Sequence, residues 1–540
     1  MTSSTLRVFL KVHTWVGLVA GLALFIAFYA GSITVFTDQL HAWERHDARG
    51  LPPQSMALAQ PLIDAVLQAH PAAADGFRLQ LPGPDEPRLV LAWYEERKAA
   101  AALTHRFSLS QEGRLVEHAA QSELAALVYQ LHYTAGLPRS WGIYVLGVVC
   151  VLYGVALLSG VLIYAPAMTK NLFALRAGKN LKLFWQDAHN AIGMLSLPFH
   201  VIFAWSGAVL TIGTLMLAPF QFLVFDGKLL NIIQPELSLA AHPVETGKRA
   251  PLLPAQVLLA RAQAAAPGME AKSMRYDHVG DSSVQVEVYG SHAGRALNNQ
   301  AGVALNGSSG AVLRVVRPDN MSAGNAFLRG LSVLHFGNFG GAAMQWVYFA
   351  LGLAGAFLFY SGNLLWVEGR RKRHQLEQAR NTRLMAQLTL GVCLGCIAGI
   401  SAIFLANKLA PQGWGGLAVW EERGYYGVFL LSVAWALARP PARAGHELLL
   451  LCALLTAAIP LANGWASGEH LLRTLWQGQW RVFAVDAVAL LAAACYWRMA
   501  RATLRRGLGG DPHSVWALPV AAAAGALPFA AADARAAPQR

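Results

Sequence analysis

Asp187–Gly207, with the sequence DAHNAIGMLSLPFHVIFAWSG, opens an apolar segment with His189 and carries His200 eleven residues later. In a continuous helix, eleven residues return to within about 20° of the starting direction. Both imidazoles are therefore expected on one helix face, about 16 Å apart along the axis. Because an ionisable residue inside a membrane span costs a few kcal/mol, this segment predicts a functional site.

The composition is typical of a polytopic membrane protein. Of the 540 residues, 55% are apolar and 14% are charged. The net charge is +13, but the densest basic runs flank apolar segments, so the charge indicates membrane topology and not nucleic acid binding. Five cysteines lie in apolar stretches, with Cys393 and Cys396 forming a CxxC. This pattern favours small-residue packing over a disulfide framework or a redox pair.

Eight apolar segments have about the length that a bilayer requires. They are predicted at 14–36, 141–164, 190–217, 344–367, 384–406, 424–438, 447–466 and 482–498. Basic residues mark alternate connections, namely Arg7 and Lys11, Arg176 and Lys182, Arg370 and Arg371, Arg439 and Arg443, and Arg498, Arg501, Arg505 and Arg506. By the positive-inside rule, both termini are expected in the cytoplasm. The first span resembles a signal peptide, but its recurrence later in the chain argues against cleavage.

Two long segments are predicted to face outward as small α+β domains. Each has a helix before short strands. The helices are predicted at Pro61–His70 and Pro254–Ala266, and the strands at Phe77–Leu81, Arg88–Tyr94, Ser283–Tyr289 and Val312–Val316. The full division is span one at 1–36, outer domain one at 37–140, spans two and three at 141–217, outer domain two at 218–343, span four at 344–367, spans five to eight at 384–498, and a cytoplasmic tail at 499–540, poorly ordered from Ser514.

The first four spans form an internal repeat. The matched positions are His13 with His189, Gly17 with Gly193, His132 with His335, and Ser159-Gly160 with Ser361-Gly362. His200 is the exception, because Leu24 occupies the corresponding position. The duplication thus keeps four histidines and breaks its symmetry at a fifth.

The predicted topology sorts these histidines by depth. His13 and His189 lie at the cytoplasmic ends of two spans, His132 and His335 at the outer ends of two others, and His200 between them. Because neutral imidazole is a usual haem ligand and bundle cores hold such cofactors, the pattern predicts two b-type haems.

The ligand pairing stays open at the outer level. His13 with His189 is the simplest inner pair, whereas the outer haem takes His132 with His335, or His200 with either of them. Ligands at two depths do not suit one zinc site, and the absence of CxxCH argues against covalent haem. No residue is assigned as catalytic, and no nucleotide-binding motif occurs.

The same residues carry a family resemblance. The chain resembles the PepSY-associated transmembrane family over about residues 8–372, through His13–Gly17, Gly31-Ser32, Leu131-His132, His189–Gly193, Ser206-Gly207 and Leu334-His335. This resemblance implies PepSY-like outer domains and a b-haem reductase of the bacterial inner membrane. It implies a ferric siderophore in the periplasm as substrate and an unidentified cytoplasmic electron donor. Spans five to eight lie outside the resemblance as an appended bundle.

Two other functions compete with the reductase. One is a haem-free PepSY sensor or protease regulator, in which the histidines only pack. The other is a permease for the iron chelate, suggested by the number of spans. Haem content separates these functions, since only the reductase requires it.

Overall fold

A computed structural model describes residues 3–44, 52–83, 86–94, 104–118, 122–168, 176, 181–229, 231–233, 238–240, 243–292, 299–372, 375–411 and 416–518. The helices are α1 (Ser3–Thr34), α2 (Thr37–Glu44), α3 (Ala59–Ala69), α4 (Leu124–Thr134), α5 (Arg139–Tyr164), α6 (Leu181–Leu195), α7 (Leu197–Leu223), α8 (Ala255–Ala265), α9 (Ala323–Phe336), α10 (Gly341–Gly369), α11 (Arg380–Leu409), α12 (Leu417–Ala438), α13 (Pro441–Ser467), α14 (Leu471–Trp476) and α15 (Trp480–Gly509). The strands are β1 (Gly76–Gln80), β2 (Val90–Tyr94), β3 (Thr104–Leu109), β4 (Leu115–His118), β5 (Met269–Asp277), β6 (Gln285–His292), β7 (Gln300–Asn306) and β8 (Val312–Val316).

The chain divides into two compact units. The helix unit comprises Met1–Glu44, Ser122–Thr211 and Val347–Arg540, and the sheet unit comprises Arg45–Gln121 and Ile212–Trp346. Within the described residues, six helices are long and apolar enough to cross a membrane: α1, α5, α10, α11, α13 and α15. The bent pair α6 and α7 makes a seventh if it is counted as one span. The protein is therefore a multi-pass membrane protein.

The remaining predicted span, 424–438, lies in α12. This helix forms, but it does not count among the six, because the apolar stretch after its charged first turns is short for a bilayer. Those turns contain Glu421, Glu422 and Arg423.

The predicted continuous helix through His189 and His200 is wrong. α6 and α7 meet at 71°, with the break at Ser196. The cause is Pro198, which has no N–H for the carbonyl of Met194 and whose ring clashes with that carbonyl in a straight helix. The two histidines therefore lie on differently directed helices and do not share one face.

The sheet unit contains one antiparallel sheet, with the strand order β4-β3-β2-β1-β5-β6-β7-β8 in the part of the chain that the structure describes. Each half is a helix followed by a four-stranded meander. The sequence predicts the helix of each half and two of its strands, which are β1 and β2 in the first half and β6 and β8 in the second, but not β3, β4, β5 and β7. The two halves pair edge to edge through β1 and β5, with Phe77 opposite Tyr276 and Leu79 opposite Met274. This pairing covers an edge that each meander would otherwise expose, so the two predicted domains share one sheet.

The helices α3 and α8 supply the other side of the sheet core. Leu62, Ile63 and Val66 recur at helical spacing on α3 and are fully buried, as are Leu258 and Ala262 on α8. Both sets belong to one hydrophobic cluster with the β1 and β5 side chains. The core is therefore common to both halves of the sheet.

Two predicted boundaries require correction. α2 and α4 belong to the helix unit, although 37–140 was expected to be an outer domain throughout. The tail is also ordered further than predicted, because Val515 is buried in a cluster with Val367 and Ala386. α15 ends at Gly509, and the remainder of the predicted tail, residues 519–540, lies outside the described residues.

Tyr276→Ala tests the common core of the sheet. The Tyr276 ring stacks on Phe77 across the β1–β5 pairing, with a centroid distance of 4.6 Å. Removing this buried ring is expected to lower the free energy of unfolding by about 3–5 kcal/mol, because a cavity remains. Limited proteolysis of the purified full chain would then cleave the sheet unit faster. Val312→Ala, at a position 47% exposed on β8, is the control, and equal cleavage of both variants would contradict a shared core.

Candidate functional site

His13 on α1 and His189 on α6 lie side by side in the helix unit. Their ring centroids are 6.2 Å apart and their planes are nearly perpendicular, at 84°. Two imidazoles that bind one metal ion from opposite sides have centroids about 6 Å apart, since each metal–nitrogen bond is about 2 Å long. The structure thus brings together the pair predicted as inner ligands, at a distance that fits this arrangement.

Equivalent positions on two returning helices hold these rings. The Nδ1 of His13 bonds the Ala156 carbonyl on α5 at 2.9 Å, and the Nδ1 of His189 bonds the Leu358 carbonyl on α10 at 3.1 Å. A serine lies three residues after each of these carbonyls. The hydroxyl of Ser159 lies 3.4 Å from Nδ1 of His13, and the hydroxyl of Ser361 lies 3.2 Å from Nδ1 of His189.

A glycine follows each serine and lies against the imidazole. A Cβ at Gly160 would meet Cε1 of His13 at 3.0 Å, and one at Gly362 would meet Cε1 of His189 at 3.4 Å. The small-residue pairs of the repeat therefore allow each ring to approach a neighbouring helix closely enough to bond its backbone.

These bonds determine which ring nitrogen carries the proton. A carbonyl only accepts, so Nδ1 of both histidines donates, and Nε2 keeps its lone pair. Neither Nε2 of His13 nor that of His189 has a hydrogen-bond partner among the described residues. This is the arrangement in which a second interaction orients a histidine that ligates a metal through its other nitrogen.

His132 on α4 is held in the same way. Its Nδ1 bonds the carbonyl of Ala27 on α1 at 2.7 Å. A Cβ at Gly31 would lie 2.6 Å from that nitrogen, so only glycine fits the close approach. Ala27 follows His13 by about 21 Å along α1, which separates the two histidine levels. His335 lies on α9 in the sheet unit and is 9% exposed.

His200 differs from the other histidines because both of its nitrogens are bonded to side chains. Nδ1 lies 2.6 Å from the hydroxyl of Tyr153, and Nε2 lies 3.0 Å from the hydroxyl of Ser196. Ser196 already donates its proton to the Ile192 carbonyl at 2.5 Å, so it accepts from Nε2. The proton of His200 is thus on Nε2, and Nδ1 accepts from Tyr153. This bonding disfavours His200 as a ligand.

An aromatic cluster surrounds Phe28, which lies on α1 and contacts the His200 ring of α7. Its centroid lies between 5.0 and 6.5 Å from the rings of Tyr153, Phe199, His200, Phe203 and Phe359. A Cβ at Gly355 would lie 2.4 Å from the Phe28 ring, so this glycine makes room for it. Phe28 has no aromatic counterpart at the matched position of the repeat, Ala204, so the sequence carries no signal for it.

α12 of the C-terminal bundle holds the start of α4, the helix of the first outer histidine. The hydroxyl of Ser122 donates to Glu421 at 2.7 Å, and the backbone N–H of Glu123 donates to the same carboxylate at 2.8 Å. Asn407 on α11 adds a third donor at 2.8 Å. Glu421 is fully buried, so these three bonds replace the water that its carboxylate lacks. The only signal of Glu421 in the sequence is a charge near an apolar span, so its role was not predicted.

α12 also holds the other end of α4. The Tyr426 hydroxyl donates to the Gly136 carbonyl, in the turn that follows α4, at 3.1 Å. Two buried polar groups of the last helices, Asp486 on α15 and Asn463 on α13, are likewise bonded within the helix unit. Trp43 and Asn463 both donate to Asp486, at 2.8 and 2.9 Å. The appended bundle is thus tied to the histidine-bearing helices by buried polar contacts.

The described residues contain no group of three or more His, Cys, Asp or Glu side chains that could hold a metal ion. A haem iron needs only two protein ligands, so this finding concerns other metal sites. Cys393 and Cys396 are free and buried within α11.

The chain is similar to a known family and to a bacterial protein. The model of the family described as the PepSY-associated TM region matches residues 10–368. Uncharacterized protein PA4219 of Pseudomonas aeruginosa strain PAO1 is 28% identical over 395 residues, which cover 67% of this chain and 94% of that protein. The family match ends at the C-terminal end of α10, before the appended bundle.

Glu421→Ala tests whether α12 orders the helix of His132. The N–H of Glu123 and the amide of Asn407 would lose a buried acceptor, whereas the Ser122 hydroxyl can still donate to Glu44 at 3.0 Å. This loss is expected to lower the free energy of unfolding by about 2 kcal/mol. Hydrogen exchange of the purified full chain should then be faster at the α4 amides. Glu422→Ala removes an exposed neighbouring carboxylate and should leave α4 protected. Identical α4 exchange in the two variants would contradict the proposed role.

Proposed function

The chain belongs to the PepSY-associated transmembrane family, and on this basis we propose that it transfers electrons across the bacterial inner membrane through two b-type haems. The proposed substrate is a ferric siderophore in the periplasm, and the donor is a cytoplasmic reductant. Both termini would face the cytoplasm, as the alternation of basic residues predicts.

The observation that supports this proposal is the pairing of His13 and His189. At a centroid distance of 6.2 Å, the two imidazoles would be able to hold one haem iron between them. Each Nδ1 is held by a backbone carbonyl, while Nε2 stays unbonded within the described chain. His200, by contrast, is hydrogen-bonded at both ring nitrogens. His446 shares the Nδ1–carbonyl bond, so the close pairing of two such imidazoles is what favours ligation. The inner pair is therefore better suited to ligation than to packing alone.

His132 would be one ligand of the outer haem, and the repeat in the sequence predicts His335 as the other. His132 has the same Nδ1–carbonyl bond as the inner pair, and His335 is its counterpart in the repeat. His200 would instead keep its bonds to Tyr153 and Ser196 and contribute to the aromatic cluster around Phe28.

Each residue has a defined contribution in this proposal. When bound, the haems would supply a one-electron couple at each level of the membrane. Ala156 and Leu358 hold the protons on Nδ1 of the inner histidines, and Gly160 and Gly362 allow the close contact. One electron reduces the chelated Fe³⁺ to Fe²⁺, which hard oxygen donors hold less tightly, so the iron is released.

A reduced-minus-oxidised absorption spectrum of the purified full chain tests the function. A low-spin b-type signal with about two haems per chain is expected from pyridine-haem quantitation. Protein expressed with adequate haem but lacking this signal would overturn the proposal and favour a sensor or a permease.

His13→Ala and His189→Ala are each expected to remove the inner haem, leaving about one haem per chain because a missing axial ligand weakens its binding. The absorption spectrum and haem quantitation measure this loss. His446→Ala is a matched control, since Nδ1 of His446 also bonds a helix carbonyl, that of Ala500, at 3.0 Å in the C-terminal bundle. If all three variants retained the wild-type haem content, the inner pairing would be wrong.

His200→Leu tests the outer pairing. This substitution introduces the residue found at the matched position of the repeat, Leu24. The purified variant is expected to retain about two haems per chain, whereas the His132→Ala variant is expected to retain about one. The haem content of the two purified variants gives the comparison. The opposite result, with haem lost only from His200→Leu, would make His200 a ligand.

A further inference from the structure

A second site candidate is a cavity of about 1400 Å³ at the ends of several helices in the helix unit. Its walls are the end of α10, the start of α6, the last turns of α15 and the segment Asp511–Ala517. The basic side chains at these positions were predicted to face the cytoplasm. Nothing in the proposed electron transfer uses this cavity.

The cavity carries a large excess of positive charge. Two carboxylates line it, those of Glu368 and Asp511. Six cationic side chains line it as well, namely Lys182, Arg371, Arg498, Arg501, Arg505 and Arg506. Both carboxylates are already engaged, since Glu368 accepts the Trp516 indole N–H at 2.9 Å and Asp511 pairs with Arg371. Among the described residues, the lining therefore holds more cationic than acidic side chains.

The positive-inside rule explains on which side these residues lie, but it does not explain their convergence. Arg498, Arg501 and Arg505 recur at spacings of three and four, which places them on one stripe of α15. That stripe faces the cavity rather than being distributed around the helix. Membrane topology alone does not require these arginines to lie on one face of the helix.

The segment after α15 is folded back to close one wall of this cavity. The backbone N–H of Leu518 donates to the Gly507 carbonyl at 2.8 Å, and Gln378 donates to the His513 carbonyl at 2.9 Å. Val515 is buried against the helices, as described above. The wall is therefore held by specific contacts of a segment that sequence composition predicted to be poorly ordered.

We propose that this cavity binds an anion with two or more phosphate groups. Guanidinium groups match phosphate oxygens with paired, charge-assisted hydrogen bonds, and several arginines around one space suit more than one phosphate. The volume is at or above the range of about 300–1,000 Å³ usual for small-molecule sites, so one phosphate alone would leave most of it empty. Trp497 and Trp516 offer apolar surface to the rest of the ligand.

Two sources can supply this chemistry. One is the headgroup of a lipid with two phosphates, because basic pockets between membrane helices bind such headgroups. The other is a soluble diphosphate, such as a nucleotide. Lys182 precedes His189 by seven residues on α6, so the bound charge would lie about 10 Å along the helix from the inner histidines. Binding itself does not depend on haem.

The experiment measures binding to the purified full chain in detergent, after removal of bound lipid. One arm follows the thermal unfolding midpoint with increasing inorganic pyrophosphate, and the other with increasing diphosphatidylglycerol in mixed micelles. The variant Arg498→Gln/Arg505→Gln removes two cavity charges and is expected to weaken binding about tenfold. The control is Arg380→Gln/Arg383→Gln, which removes two exposed charges at the start of α11, outside the cavity, and should change affinity less than about twofold.

Each outcome decides the proposal. A cavity-dependent shift with pyrophosphate assigns a soluble ligand, and one seen only with diphosphatidylglycerol assigns a lipid headgroup. No shift in either arm, or equal weakening by both variants, would overturn the site, because the attraction would be absent or non-specific. If the double variant does not fold, Lys182→Gln on α6 serves instead, with an expected loss of about threefold. Haem content, measured in parallel, shows separately whether the electron-transfer proposal fails.

Discussion

The imidazole N–H groups inside the helix bundle must find acceptors where water is scarce, and this constraint organises the candidate site. A buried polar group without a partner is costly in a membrane, and the backbone carbonyls of neighbouring helices have a spare lone pair. His13, His132 and His189 all use such a carbonyl. The close approach this requires explains the glycines beside the rings, which replace the side chains that would collide with them.

The repeat in the sequence is broken at His200, whose hydrogen-bond partners differ from those of the other histidines. His200 has side-chain partners on both nitrogens, and one of them, Ser196, lies at the break between α6 and α7. Pro198 causes that break, so the same local change redirects the helix and places a hydroxyl next to the imidazole. Leu24, at the matched position of α1, requires neither a redirected helix nor a neighbouring hydroxyl.

The C-terminal bundle lies beyond the family match but is not an independent addition. Glu421 brings a buried carboxylate to the start of α4, and Asp486 accepts from Trp43 near the end of α2. Because an unpaired carboxylate is costly to bury, these contacts specify one way in which the two sets of helices can pack. The bundle thereby contributes to the position of α4, which carries His132.

The sequence alone determined the membrane class, the family, most helices, half of the strands, and the four repeated histidines, because hydropathy, alternation and repeats are local patterns. It also placed His13 and His189 as neighbours, through their matched positions in the duplication. Only the tertiary structure decided that β1 pairs with β5, that His200 is bonded on both sides, and that Glu421 holds α4. Each of these depends on which distant segment supplies a partner, and a partner far away in the chain leaves no periodic mark on the residues it contacts.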